Sequence, residues 1–160
     1  LKSASKRNNV LVLRTFSKIY GLAALRVGWC YGPQEVINAI KHVKGPFNVS
    51  VPALSAATAA VSDIKYTSKC AAENFQVRAW LASELEKLGI LSDPSFANFI
   101  LLKFGSKEIA KDTDNFLLKN GIIVRNVSDY GLPNFLRVTV GKKSVCERVV
   151  HLLRKFQENQ

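Results

Sequence analysis

Val10-Leu11-Val12-Leu13-Arg14-Thr15-Phe16-Ser17-Lys18-Ile19-Tyr20-Gly21-Leu22-Ala23-Ala24-Leu25-Arg26-Val27-Gly28-Trp29-Cys30-Tyr31-Gly32 is the stretch on which the architecture turns. Residues 10–13 form a short continuous apolar run, the pattern of a buried strand. Residues 14–18 break that pattern with polar groups. Residues 19–26 contain a glycine and several small side chains and read as a loop or single turn. Residues 27–32 read as a second strand, ended by Gly32-Pro33. A two-stranded sheet is marginal alone, and residues 10–12 read as a central, buried strand that wants neighbours. The N-terminal third is therefore expected to be the remainder of a larger sheet.

Four cationic side chains beside apolar sequence attract attention: Lys18, Arg26, Arg125 and Arg137. Burying an ammonium without a purpose is costly. A partly desolvated lysine near other cations acquires a lowered pKa and can condense with an aldehyde. Arg26, eight residues on, could hold a phosphate together with Ser17 through charge-assisted hydrogen bonds. Arg137 is the polar member of an otherwise alternating strand, and its planar fork suits a carboxylate. Taken singly, each of these residues is better read as an ordinary surface charge.

Downstream, Val36, Ile37, Ile40 and Val43 define one helical face between Pro33 and Lys44, and Gly45-Pro46 ends it. Ser50 is placed to cap an Ala-rich helix over 52–61. A longer helix is predicted over 64–88, with Phe75, Trp80, Leu81, Leu85 and Leu88 inward and Gly89 at its C-terminus. From Phe96 the order changes to strand 96–104, helix 107–119, strand 122–125, strand 135–140 and a last helix to about residue 157, capped by Ser144. Strand, helix, strand, strand, helix makes a compact α+β unit with its helices on one sheet face. The predicted organisation is residues 1–75 as an incomplete larger domain with connecting helices, and 76–160 as a small α+β domain.

The chain has 160 residues, is 48% hydrophobic and carries a formal charge of +11. That apolar content argues against disorder. No apolar run approaches the ~20 residues that span a bilayer. The basic start, residues 1–9, lacks the features of a signal peptide. Cys30, Cys70 and Cys146 form no CxxC pair, which argues against a zinc site or a disulfide framework and fits reduced core residues of a cytoplasmic protein. The positive charge is scattered, without a dense basic run carrying interleaved aromatics. It fits a solvated surface or a field that attracts small anions better than a nucleic-acid partner.

The blocks taken together are more informative than any residue. Residues 14–28, with Ser17-Lys18, Gly21-Leu22-Ala23 and Leu25-Arg26-Val27-Gly28, closely resemble the cofactor-lysine segment of fold-type I aminotransferases, which use pyridoxal 5'-phosphate (PLP). The resemblance continues through residues 45–50, 95–99, 121–125 and 130–141, and in that order it is similar to the histidinol-phosphate aminotransferase branch. It implies an α/β fold: the C-terminal part of a fold-type I PLP transferase, with the last strands of the large-domain sheet followed by a small α+β C-terminal domain.

By motif position, the resemblance implies that Lys18 binds the cofactor aldehyde and later shuttles a proton between substrate and cofactor. It implies that Ser17 and Arg26, with Thr15, bind the cofactor phosphate. Arg137 would pair with the substrate α-carboxylate, Arg125 with the phosphate of histidinol phosphate, and Asn98 would assist near the substrate. The implied reaction is transamination of histidinol phosphate with 2-oxoglutarate and glutamate in histidine biosynthesis. The implied partners are small molecules and, in the complete protein, a second copy of the chain; no nucleic acid, membrane or metal is expected. Family members are about twice this length. The ring-stacking aromatic and the acidic partner of the pyridine nitrogen would lie upstream, so the piece alone is expected to be inactive. Lys142-Lys143-Ser144 departs from the Thr and acidic residues usual after Gly141, at a point expected to matter little for chemistry. Alternative readings are an aromatic amino-acid aminotransferase of the same branch, a PLP-dependent decarboxylase of a phosphorylated amino acid, or an inactive truncated product.

Overall fold

The computed structural model describes residues 7–91 and 93–159, so most of the basic N-terminal stretch read above lies outside the described residues. The chain divides into two compact units, Leu1–Ala71 and Ala72–Gln160.

In the first unit, strand β1 (Val12–Thr15) pairs antiparallel with β2 (Gly28–Tyr31), Thr15 opposite Gly28 and Val12 opposite Tyr31. The strand sits two residues later than predicted. A Cβ built on Gly28 would lie 2.6 Å from the Arg14 carbonyl oxygen, so this register requires a residue without a side chain there. The predicted burial of residues 10–13 is not found: Leu13 is 66% exposed, because the hairpin offers only one partner strand and no second layer over that side chain. Helix α1 (Gln34–Val43) follows, then α2 (Val51–Ser62). Ser50 caps α2 as expected, its hydroxyl accepting from the Ala53 N–H at 3.3 Å. Ala53 and Ala57, one helical turn apart, present almost no side chain, which lets the hairpin base approach closely. Phe16 and Val27 pack there, and these four residues form the buried core of the unit, with Tyr20, Leu22, Leu25 and Val49 around it.

Helix α3 (Ile64–Lys87) leads into the second unit. Leu81 and Leu85 are fully buried, but Phe75 is 63% exposed, contrary to the sequence reading. Six residues before Leu81 correspond to about 240° of rotation round the helix, which carries Phe75 off the buried face. Gly89 ends the helix in the left-handed conformation.

A three-stranded antiparallel sheet is then ordered β3 (Phe99–Lys103), β5 (Phe135–Thr139), β4 (Arg125–Asn126). β3 begins three residues later than predicted, because the Ser95 hydroxyl donates to Phe99 O and accepts from the Ala97 N–H, bending residues 95–98. β4 is displaced from 122–125 because the Ile122 N–H bonds back to Leu117 O at the end of α4 (Lys107–Lys119). Helix α5 (Lys143–Glu158) closes the unit. Ser144 does not cap it. The backbone N–H groups of Val145 and Cys146 reach Lys142 O, so the helix starts earlier and Ser144 falls inside its first turn. Ile100, Leu102, Leu136 and Val138 project from one sheet face into a core shared with Leu81, Leu85, Leu117, Val149 and Leu153. Fully burying each such side chain stabilises the unit by roughly 1.5–3 kcal/mol before chain entropy is counted. The opposite face carries Phe99, Leu101, Phe135 and Arg137, all half-buried, with Lys103 and Thr139 exposed at its margin.

Candidate active site

The seven residues singled out in the sequence fall into two groups, one in each unit. Thr15, Ser17, Lys18 and Arg26 belong to the connection between β1 and β2. The Phe16 N–H donates to Val27 O at 3.1 Å and the Leu22 N–H to Phe16 O at 3.0 Å, so residues 16–27 form a closed loop. Ser17 and Arg26 are the next residues outward from that closure and occupy the same rim. The Gly21 N–H donates to Lys18 O at 2.9 Å, a tight turn that sets Lys18 at the start of the loop.

Two details suit this rim to an anion. The Ser17 N–H donates to Thr15 Oγ1 at 3.0 Å, and Thr15 Oγ1 donates to Ser17 Oγ at 2.8 Å. With Thr15 as its donor, the Ser17 hydroxyl keeps its own proton for an incoming acceptor. Arg26 has φ 51°, the sole non-glycine residue with positive φ among the described residues. A left-handed conformation costs roughly 1–2 kcal/mol for a residue with a Cβ. Its guanidinium is tied to Ala23 O at 2.7 Å through Nη1, leaving its remaining N–H groups to point elsewhere. Strained backbone of this kind concentrates at ligand clamps. A hydroxyl donor, a guanidinium and an amine on one loop are the donor set that a phosphorylated aldehyde requires, so these residues fit PLP. Lys18 differs from expectation in one respect: its side chain is exposed, not partly desolvated.

The second group is Asn98, Arg125 and Arg137. Arg125 on β4 stands directly opposite Arg137 on β5. Directly opposed residues share one sheet face with Cβ atoms about 5 Å apart, and like charges there repel. Arg137 Nε is buried without a hydrogen-bond partner. The guanidinium carbon of Arg137 lies 5.1 Å from the centroid of the Phe99 ring, a cation–π contact that holds its plane. A buried unpaired donor and two opposed guanidiniums are both relieved by an anion. Asn98 is exposed at the approach to β3, and its carbonyl accepts from the Val140 N–H at 2.8 Å. The Arg78 guanidinium fastens the same bend, donating to Ala97 O and Asn74 Oδ1, each at 3.0 Å. Phe99 and Arg78 were not singled out in the sequence. Neither carries a local motif, and each depends on a register or a helix face.

Among the described residues, no group of His, Cys, Asp or Glu is arranged to hold a metal, and no helix is long and apolar enough to cross a membrane. Cys30, Cys70 and Cys146 are all free. Burial pushes the Cys146 thiol above its ordinary range, which marks it as a core side chain and not a nucleophile.

The fold is that of the C-terminal part of a fold-type I PLP transferase, shared with solved aminotransferases. Residues 1–153 match the model of the aminotransferase class I and II family, and the chain belongs to that family. It is 56% identical over 151 residues to a histidinol-phosphate aminotransferase of Dinoroseobacter shibae, an alignment covering 94% of this chain and 42% of that protein. The crystal structure of the histidinol-phosphate aminotransferase from Clostridium acetobutylicum superposes with a TM-score of 0.91 at 21% identity, over 99% of this chain and 49% of that one. That from Sinorhizobium meliloti, in complex with pyridoxal-5'-phosphate, gives a TM-score of 0.85 at 24% identity, over 95% and 42%. The chain thus spans less than half the length of the relatives it matches.

Proposed function

We propose that this chain is the C-terminal portion of a PLP-dependent aminotransferase that exchanges the amino group of histidinol phosphate with 2-oxoglutarate. The single observation that carries the substrate side is the opposition of Arg125 and Arg137, with the Nε of Arg137 buried and unpaired. The 56% identity to a protein named for this reaction supports the same choice. In this reading residues 1–75 belong to the cofactor-binding domain and 76–160 form the small domain.

When bound, PLP supplies an electron sink for charge developing at the substrate Cα. The chain's own residues bind, orient and move a proton. Lys18 would hold the cofactor by its amine, and the same amine is the base placed to move the proton of the substrate Cα–H. Ser17 donates its free hydroxyl proton to the cofactor phosphate, with Thr15 fixing that hydroxyl, and Arg26 adds charge-assisted hydrogen bonds. Arg137 takes the α-carboxylate of glutamate in a bidentate pair, and Arg125 takes the phosphate of histidinol phosphate. Asn98 borders the substrate. Fixing each substrate by its anionic group lowers the entropic part of the barrier. The exposed Leu13, Trp29 and Tyr31 and the three free cysteines support a cytoplasmic homodimer for the complete protein.

Borohydride reduction of the chain in the presence of PLP, followed by peptide mapping, tests the cofactor assignment. The expected label is at Lys18, and equal labelling of the many surface lysines would refute it. In the complete protein, Arg125→Ala should cost about 2 kcal/mol of kcat/KM for histidinol phosphate, with far less effect on an unphosphorylated amino donor. Equal loss for phenylalanine would favour the aromatic aminotransferase reading, and carbon dioxide release would favour the decarboxylase.

A further inference from the structure

We propose that Arg78 on α3 and Ser95 are positioning residues for Arg137: together they fix the 95–98 bend that seats the Phe99 ring against its guanidinium. The inference deepens the reading of Arg137 as a carboxylate-binding residue and rests on it. An arginine side chain has many rotamers, and this one has no hydrogen bond at its buried Nε to choose among them. Its brace is the half-buried Phe99 ring, whose centroid lies 5.1 Å from the guanidinium carbon. A planar cation on a ring face keeps its plane only if the ring itself is held. Phe99 is the first residue of β3, so the ladder supports it from one side only. The chain before it must supply the rest.

Two fastenings meet there. The Val140 N–H donates to Asn98 O at 2.8 Å, which makes Phe99 and Thr139 a non-hydrogen-bonded pair of the antiparallel ladder. The Phe99 carbonyl therefore points away from β5, to the outer edge of the β3–β5–β4 sheet. There the half-buried Ser95 hydroxyl donates to it, while accepting from the Ala97 N–H at 3.2 Å. Ala97 O in turn accepts from Arg78 Nη1 at 3.0 Å. The same nitrogen donates to Asn74 Oδ1 at 3.0 Å, one turn back on α3, and the Phe75 ring lies 5.7 Å from the Arg78 guanidinium carbon. Leu81 and Leu85 anchor this helix in the core, so Arg78 is a post that does not move with the bend. Both fastenings act on backbone groups immediately before the ring that braces Arg137. Misplacing an orienting group by about 1 Å costs about 100-fold in rate even when the change lies far from the chemistry.

The test uses the full 160-residue chain, with NMR relaxation of the arginine Nε–H groups and a titration with acetate as the carboxylate probe. Arg78→Ala and Ser95→Ala should each lower the order of the Arg137 Nε–H and weaken its acetate response about tenfold. Phe99→Leu keeps an apolar side chain but removes the ring face. It should loosen Arg137 equally while leaving the amides of residues 95–98 unchanged, which orders the effect from bend to ring to guanidinium. Ser95→Thr retains the hydroxyl and should restore wild-type behaviour. The amides of Leu102 and Leu136 should not change in any variant, which separates positioning from loss of the fold. A loosened 95–98 bend with an unmoved Arg137 in both alanine variants would overturn the proposal, as would an unmoved Arg137 in Phe99→Leu. If wild-type Arg137 ignores acetate yet loosens in the alanine variants, the positioning stands and the carboxylate reading falls.

Discussion

The two units of this chain handle the same problem in opposite ways. The second surrounds one sheet face with α3, α4 and α5 and buries sixteen residues in a continuous core. The first pairs two strands and buries four residues, leaving Leu13, Trp29 and Tyr31 exposed on the hairpin. Yet the chemically distinctive residue, Lys18, belongs to the first. The contrast teaches that a loop can be shaped without a large core beneath it. Its geometry comes from a few backbone hydrogen bonds and one close glycine, whereas Arg125 and Arg137 of the second unit lie on strands of a sheet backed by a continuous core.

The contrast is broken most severely by truncating the core. Leu136→Ala or Leu85→Ala should destabilise the second unit by about 2–5 kcal/mol in chemical denaturation, since both side chains are fully buried. Leu13→Ala should change stability by no more than about 0.5 kcal/mol, as for surface substitutions generally. Comparable losses from Leu13 and Leu136 would erase the distinction. Next in size, Gly28→Ala forces a Cβ against the Arg14 carbonyl and should cost about 1–3 kcal/mol. Amide exchange should accelerate across β1 and β2 but not across β3 and β5.

Arg26→Gly sharpens the comparison in the other direction. Relief of the left-handed strain should stabilise the loop by roughly 1 kcal/mol, read as slower amide exchange in residues 16–27. PLP labelling of Lys18 should fall in the same variant, a trade of function against stability that no residue of the β3–β5–β4 platform is expected to show. The smallest effect concerns pH. Burial raises the Asp114 carboxyl pKa, partly offset by the hydrogen bond from Asn126. A raised folded-state pKa means a contribution that is present below the unfolded carboxylate value and is lost as pH rises through the folded one. Asp114→Asn should therefore flatten a shallow decline in stability of the second unit between acid and neutral pH, measurable by denaturation across that range.

Much of this molecule was legible as a string. Helical spacing placed α1, α2 and α4 within a residue or two, because periodicity and caps such as Ser50 and Gly89 are local. The order of motifs, from Ser17-Lys18 through Leu136-Arg137, pointed to the family that the comparisons establish. Strand positions were less legible. β1 and β4 both moved from their predicted ranges, since strand position depends on partners outside the strand: Gly28 across the ladder for one and the Leu117 carbonyl at the end of α4 for the other. Phe75 was misplaced because rotation round a helix accumulates and its burial depends on what lies opposite.

The amino-acid order alone determined which groups could do chemistry: an amine at 18, guanidiniums at 26, 125 and 137, and a hydroxyl at 17. Only the tertiary structure decided how those groups stand. It set Arg125 against Arg137 and left the Nε of Arg137 buried without a partner. Residue type is a covalent property. Opposition and an unmet hydrogen bond are relations between segments separated in the chain, and they come into being only when the backbone closes on itself.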